Sequence, residues 1–323
     1  MAAPAAPSHC KLCELEDFRD PELQDLIRDI FESDREHFGE ADFPAGREYR
    51  KYWEVAMTAR AFRAAGKLRG DARILGVGAG HEATIYWLTR HVRQVVATDL
   101  YSADDAWSET DSSAAMLTNP GRFWDAEWNP ERLEVLDMNA LELRFPDDHF
   151  DGVFSSSSIE HFGGLVEIRR SVEEIYRVLK PGGVAALATE FKVRGDGNGW
   201  PGLFIFDEGA LRRVAFDGIW WDPMTPLDTS VSEGTLAAPV DLQEALADQA
   251  TGRRGWSQYP HLVLEEGEYL WTSVHVAMLK SAAASVEWRR RSTELEAPPE
   301  GPMLREKLAD LRARVARRLG RGS

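Results

Sequence analysis

The run Arg73-Ile-Leu-Gly-Val-Gly-Ala-Gly-His-Glu sets three glycines directly after a short apolar stretch and ahead of a helical one. A strand that turns sharply through glycines brings its backbone close to a ligand, because no Cβ stands in the way. The N-terminus of the next helix offers unpaired N–H groups and the positive end of its dipole. Such a loop can hold the pyrophosphate of a dinucleotide or the carboxypropyl end of S-adenosylmethionine, or it can be a purely structural turn. Asp99 ends the next apolar stretch, about 20 residues past the loop. A carboxylate there can accept hydrogen bonds from ribose hydroxyls or simply cap the following turn. Further on, Glu160-His161 joins an acid to the side chain whose unperturbed pKa, about 6.5, suits proton transfer near neutrality. His161 is the candidate base and Glu160 its companion; a structural bond between neighbouring loops is the alternative for both.

Two later segments choose between the ligands. Phe145-Pro-Asp-Asp-His-Phe-Asp-Gly-Val-Phe-Ser-Ser-Ser-Ser-Ile-Glu-His-Phe, followed by Val178-Leu-Lys-Pro-Gly-Gly-Val-Ala, resembles the class I S-adenosylmethionine-dependent methyltransferases, close to the type 11 branch. The resemblance covers roughly residues 70–190, and a hairpin at 261–280 also fits it. It implies a Rossmann-like, doubly wound seven-stranded sheet whose last strand is antiparallel. It also implies S-adenosylmethionine as the cofactor. Gly78 and Gly80, with Gly76 of the same run, would lie against its methionine part. Asp99 would hold the ribose, and Asp137 would approach the adenine amine. Met138 would pack on the adenine ring or serve the core. Ser155, opening the serine run, joins the cofactor-binding set.

The sequence also departs from that family. Gly76 stands where an acid usually holds the amino group of the cofactor, and Glu82 stands where a third glycine is usual. Glu82 either substitutes for the acid or favours the helix dipole. Some members bind a divalent metal through a Glu-x-x-Glu-His run. Here Ser157 replaces its first acid, so no metal site is expected.

Placing these groups takes alternating strands and helices. Apolar stretches at 73–77, 94–99, 133–137, 150–155 and 184–190 read as strands, with helices at 81–91 and 166–179 and a Lys180-Pro-Gly-Gly turn. Alternation of this kind predicts crossover units and a mainly parallel sheet covered on both faces. Residues 1–69 read as an N-terminal helical extension, with a disordered start over 1–8 and helical stretches at 20–37 and 47–68. Residues 70–192 form the core, 193–258 a lid over the acceptor, 259–282 a closing hairpin and 283–323 a helical tail. The tryptophans between Trp200 and Trp221 either line an acceptor pocket or pack the lid's own core.

Composition limits the partners. The 323 residues carry a formal net charge of −16, which disfavours a nucleic-acid partner. No apolar run approaches the length of a membrane span, and no secretory signal is recognisable, so a cytoplasmic location is expected with no membrane partner. Cys10 and Cys13 read as reduced cysteines flanking a helix, since a structural zinc needs four ligands and no second pair exists. The expected function is methyl transfer to a small-molecule or glycan acceptor. Oxygen is expected because no Asn-Pro-Pro-Tyr-like amide-binding run follows the fourth strand. A non-catalytic module recruiting a partner through its basic tail, and an aminopropyltransferase-type enzyme, are the alternatives. Oligomeric state is not encoded in any visible motif.

Overall fold

The computed structural model describes residues 7–39, 42–102, 114–250 and 261–281. The chain opens with a two-residue strand, β1 (Lys11–Leu12), and three helices, α1 (Pro21–Ile30), α2 (Glu32–Phe38) and α3 (Arg50–Ala64). Alternation follows: β2 (Arg73–Val77), α4 (Ala83–Thr89), β3 (Gln94–Asp99), β4 (Leu133–Asp137), β5 (Phe150–Ser156), α5 (Leu165–Val178) and β6 (Leu179–Arg194). Next come a small hairpin, β7 (Gly199–Trp200) and β8 (Leu203–Phe204), then α6 (Glu208–Ala215), β9 (Trp221–Pro223), α7 (Glu233–Leu236), β10 (Val240–Asp241) and α8 (Leu242–Ala250). The described chain closes with β11 (Val263–Glu266) and β12 (Tyr269–Lys280).

The main sheet runs β10-β11-β12-β6-β5-β2-β3-β4, with β1 and β9 also paired to β12. Strands β2 to β6 pair in parallel, while β12 lies antiparallel between β6 and β11. Strand order reverses between β2 and β5, which opens a crevice at their carboxyl ends. Both faces are covered. Ile74 of β2 and Val95 and Ala97 of β3 pack with the α1–α4 helices, whereas Leu75, Val77 and Val96 pack on the opposite face with α5 and α6. Burial on both sides explains why these strands read as continuous apolar runs.

Helix α3 is enclosed almost all round and lies on β6 and β12. Arg50 and Glu54 are therefore carried under cover, a placement the weak amphipathic pattern of this helix does not announce.

The sequence reading needs four corrections. The helix expected over 20–37 is two helices, broken where Phe31 leaves helical geometry at φ −101°, ψ 47°. Lys180-Pro-Gly-Gly is no turn between elements but a bulged start of β6. Leu179 pairs with Phe150, and pairing resumes at Val184 with Gly152. Gly182, at φ 75°, absorbs the extra length, and Lys180 reaches the Asp151 carboxylate at 2.9 Å. Cys10 and Cys13 flank β1 rather than a helix, both as buried thiols. The sheet of the described residues holds ten strands rather than seven, because the N-terminus and the 193–258 segment add edge strands. The helix expected within the tail, and the first six residues of the chain, lie outside the described residues.

Candidate active site

The glycine loop leaves β2 with Gly78 and Gly80 in left-handed geometry, φ 62° and 49°. Gly76 differs: it lies within β2, and a Cβ there would meet the Phe154 ring at 2.7 Å. Its missing side chain thus makes room for packing. Neighbouring groups buttress the loop. Thr98 Oγ1 donates to Gly76 O (2.9 Å), Ala79 N–H donates to Thr98 O (3.0 Å), and Tyr101 Oη donates to Gly80 O (2.6 Å). Across the crevice, Ser158 Oγ donates to Gly78 O at 2.5 Å, tying β2's loop to the segment after β5.

Asp99 and Asp137 end adjacent strands and are paired in register, so two carboxylates stand side by side at the sheet's edge. Asp99 Oδ2 accepts the Gly80 N–H at 2.9 Å and Oδ1 accepts the Leu100 N–H at 2.7 Å. It therefore helps to hold the loop, a role the sequence did not suggest. Asp137 accepts the Ser102 N–H at 3.0 Å. Met138 is 7% exposed beside them. Ser155 is fully buried within β5, and its Oγ and that of Ser156 have no hydrogen-bond partner among the described residues. Two left-handed glycines, two neighbouring carboxylates, an apolar shelf and unpaired hydroxyls suit a ligand with hydroxyls, an amine and an apolar ring edge. S-adenosylmethionine is such a ligand. Glu82 stands just before α4 as its N-cap, without a capping bond from its side chain.

The carboxyl ends of β5 and β6 carry a second constellation. Glu190 forms a buried ion pair with Arg50 at 2.5 Å, and Lys51 lies 3.6 Å from it. Lys51 also bonds both oxygens of Glu54, at 3.1 and 3.3 Å, and the Ser157 hydroxyl. Ser157 donates to Glu54 at 2.7 Å, and Ser273 of β12 donates to it as well. Arg50 further donates to Ser273 Oγ at 3.0 Å and His261 Nε2 at 3.4 Å.

Glu160 lies in the turn after β5, 1% exposed, with Thr189 Oγ1 donating to its Oε2 at 2.8 Å and no partner at Oε1 among the described residues. Burial, with the nearby Glu190 charge, pushes its carboxyl up to about 8. Burial acts on Glu190 in the same sense, but Arg50 and Lys51 outweigh it and hold that carboxyl below its ordinary value. The two cations are matched by Glu54 and Glu190, so Glu160 is left protonated at neutral pH. His161 is half-buried, and its Nδ1–H donates to Gly202 O, at the tip of the β7–β8 hairpin, at 2.6 Å. Burial draws the imidazole below its ordinary value, so the ring is neutral at pH 7.

The structure thus gathers Gly78, Gly80, Asp99, Asp137 and Met138 along one side of the crevice and Glu160 and His161 along the other. Ser158 of the turn bridges the sides. Sequence reasoning missed Arg50, Lys51, Glu54 and Ser157. Only Ser157 left a usable trace, as one of four consecutive serines that run across the end of a strand. Of the described tryptophans of the 193–258 segment, Trp200 and Trp221 pack inward. Trp200 rests on Tyr269 (4.9 Å) and Trp271 (5.8 Å), and Trp221 donates to Ala215 O at 2.6 Å. Trp220 stands out, 61% exposed. No group of three or more potential metal ligands occurs among the described residues, and none of their helices is long and apolar enough to cross a membrane.

Residues 75–187 match the methyltransferase domain family. That segment contains the glycine loop, both strand-end acids and the Glu160-His161 turn. Among named relatives, a demethylmenaquinone methyltransferase of Clavibacter sepedonicus is 33% identical over 131 residues, covering 41% of this chain and 44% of that protein. One of Symbiobacterium thermophilum is 49% identical over 45 residues, 14% of this chain and 17% of that protein. The chain spans less than half the length of the curated relatives it matches. An S-adenosylmethionine dependent methyltransferase of known structure from Mesorhizobium loti is 15% identical. It covers 68% of this chain and 96% of its own, with a TM-score of 0.41.

Proposed function

We propose that this protein transfers the methyl group of S-adenosylmethionine to a hydroxyl oxygen of a small-molecule or glycan acceptor, acting in the cytoplasm. The observation that carries this reading is the polar constellation at the ends of β5 and β6, joined to the glycine loop by the Ser158–Gly78 bond. S-adenosylmethionine supplies an electrophilic methyl carbon when bound. The Gly78–Gly80 backbone would hold its methionine part, Asp99 its ribose hydroxyls and Asp137 its adenine amine, with Met138 against the ring.

The chain's own residues must orient the acceptor and remove its proton. His161 is suited to removing it, being neutral, half-buried and fixed in the Nδ1–H tautomer by Gly202, so that Nε2 is the proton-accepting atom. Glu160, protonated and anchored by Thr189, offers a hydrogen bond rather than a base. The 193–258 segment, bonded to His161 through its hairpin, acts as the lid.

The test has two readouts. Calorimetric titration with S-adenosylhomocysteine should show binding. Label from methyl-tritiated S-adenosylmethionine should then pass to a member of a panel of phenols, quinols and oligosaccharides. A quinol belongs there because the relatives are named for demethylmenaquinone. A silent titration would sink this reading. Transfer that proceeds unchanged in His161→Gln would remove the assigned base.

A further inference from the structure

We propose that the cavity between the α1–α2 junction and the start of α4 binds an ammonium group carried on an apolar or aromatic body. The cavity measures about 360 Å³, within the range of about 300–1,000 Å³ usual for ligand pockets. Its lining includes Phe31, Asp34, His81, Phe123 and Trp124. The break between α1 and α2 at Phe31 thus brings Asp34 to one space with His81, the residue after Gly80.

The rings form a preformed wall. Phe31 lies against Tyr52 at 4.5 Å, His81 stacks on Phe123 at 4.6 Å, and Tyr86 covers one face of Trp124 at 5.2 Å. Each ring is held by a neighbour, so little ordering has to be paid when an apolar body enters.

Charge selects the ligand class. Residues 21–38 carry six carboxylates against Arg28, Arg35 and His37. Glu22 pairs with Arg60 and Arg63, Asp25 with Arg28, Asp29 with Arg90, and Glu32 with Arg35. Glu36 is exposed. Asp34 is half-buried and makes no ion pair among the described residues. Its Oδ2 accepts the Tyr52 hydroxyl at 2.7 Å, and its Oδ1 accepts no hydrogen bond from them. Arg47 lies over the Phe38 ring at 3.7 Å and Arg122 over the Phe123 ring at 5.2 Å, and neither pairs with Asp34. A carboxylate drawn partly out of water without a cation is costly. A guest ammonium supplies both the missing charge and a donor for the open oxygen. An anion is repelled by Asp34, and a neutral apolar guest leaves it unpaired.

An ammonium reaches this place from one of two sources. One is a separate amine. The other is the α-ammonium of the methionine part that the Gly78–Gly80 loop would hold, and only this second source rests on the methyltransferase reading above.

The probe is 2-phenylethylamine, charged at pH 7 as a lysine side chain is, compared by calorimetry on the full chain with its neutral counterpart 2-phenylethanol. The expected result is binding of the amine about tenfold or more tighter than the alcohol, as a charge-assisted bond exceeds a neutral one. Asp34→Asn keeps an acceptor for Tyr52 and so should unfold at the wild-type midpoint. It should weaken the amine about tenfold or more, to the level of the alcohol. Equal affinities in the wild-type protein, no amine binding, or undiminished amine affinity in folded Asp34→Asn overturns the proposal. The wild-type comparison decides by itself should the variant fail to fold. Repeating the amine titration with the chain saturated in S-adenosylhomocysteine, which carries its own ammonium, assigns the source. Displacement names the cofactor's ammonium as the guest, and undiminished binding names a separate amine. Failure of S-adenosylhomocysteine to bind counts against the function proposed above and not against this site.

Discussion

The β2–β3–β4 side of the crevice is made largely of backbone, held by partners close in sequence; the β5–β6 side is made of side chains drawn from across the chain. Gly80 and Asp99 are 19 residues apart, and Gly76 and Thr98 are 22 apart. Arg50 and Glu190 are 140 apart, Glu54 and Ser157 are 103, and Arg50 and Ser273 are 223. The first side needs only β2, β3 and β4 paired in place. The second exists only after α3, the β5 turn, β6 and β12 have docked. A nucleoside cradle can thus stay nearly fixed while the acceptor side is rebuilt by distant substitutions.

The sharpest way to break this contrast is Arg50→Met. It leaves Glu190 buried without its main cation, and removing one partner of a buried ion pair costs about 3–5 kcal/mol. Urea unfolding should show a loss of that order, with S-adenosylhomocysteine affinity of the surviving folded protein little changed. A large affinity loss would mean that the two sides are not independent.

Gly78→Val should act in the opposite sense. Its Cβ would meet Ser158 Cβ at 2.7 Å, and the left-handed φ adds roughly 1–2 kcal/mol of strain. Calorimetry should show nucleoside affinity reduced at least tenfold. Asp99→Ala should weaken the same binding by about 1–3 kcal/mol, since a charge-assisted acceptor is lost together with the bond that supports Gly80. Unchanged affinity in both would move the cofactor off this edge.

The smallest expected effect is on pH dependence. Glu160 is pushed up to about 8 in the folded chain from an ordinary 4.5, so between those values the native state holds a proton that the unfolded chain has lost. Its stabilising contribution is therefore complete below pH 4.5 and declines as pH rises toward 8, by at most about 1.4 kcal/mol per unit. In Glu160→Gln this decline disappears. Urea midpoints at pH 5.5 and 7.5 should lie closer together in the variant than in the wild-type protein. Identical spacing would show that the carboxyl is ionised when folded.

Much of the fold was legible because it rests on local pattern. The strands ending at Asp99 and Asp137 are short apolar runs with sharp ends, and the glycines announce the turn that follows β2. Lys180-Pro-Gly-Gly misled because proline and glycine mark an irregular backbone without saying whether it is a turn or a bulge. Only the pairing of Leu179 with Phe150 decides that. Glu160 and His161 were picked out as an adjacent acid and base, but their protonation states were not visible, since these depend on Arg50, Lys51 and Gly202.

By itself the sequence determined the alternating α/β plan, the glycine turn and the acids that close β3 and β4, because periodicity and backbone freedom are properties of neighbouring residues. Tertiary structure alone decided that α3 would bury a cation against Glu190, that Ser157 would be twisted into left-handed geometry beneath Lys51, and that Glu160 would keep its proton. Those outcomes depend on desolvation and on the distances between charges, and both arise only when remote segments close over one another.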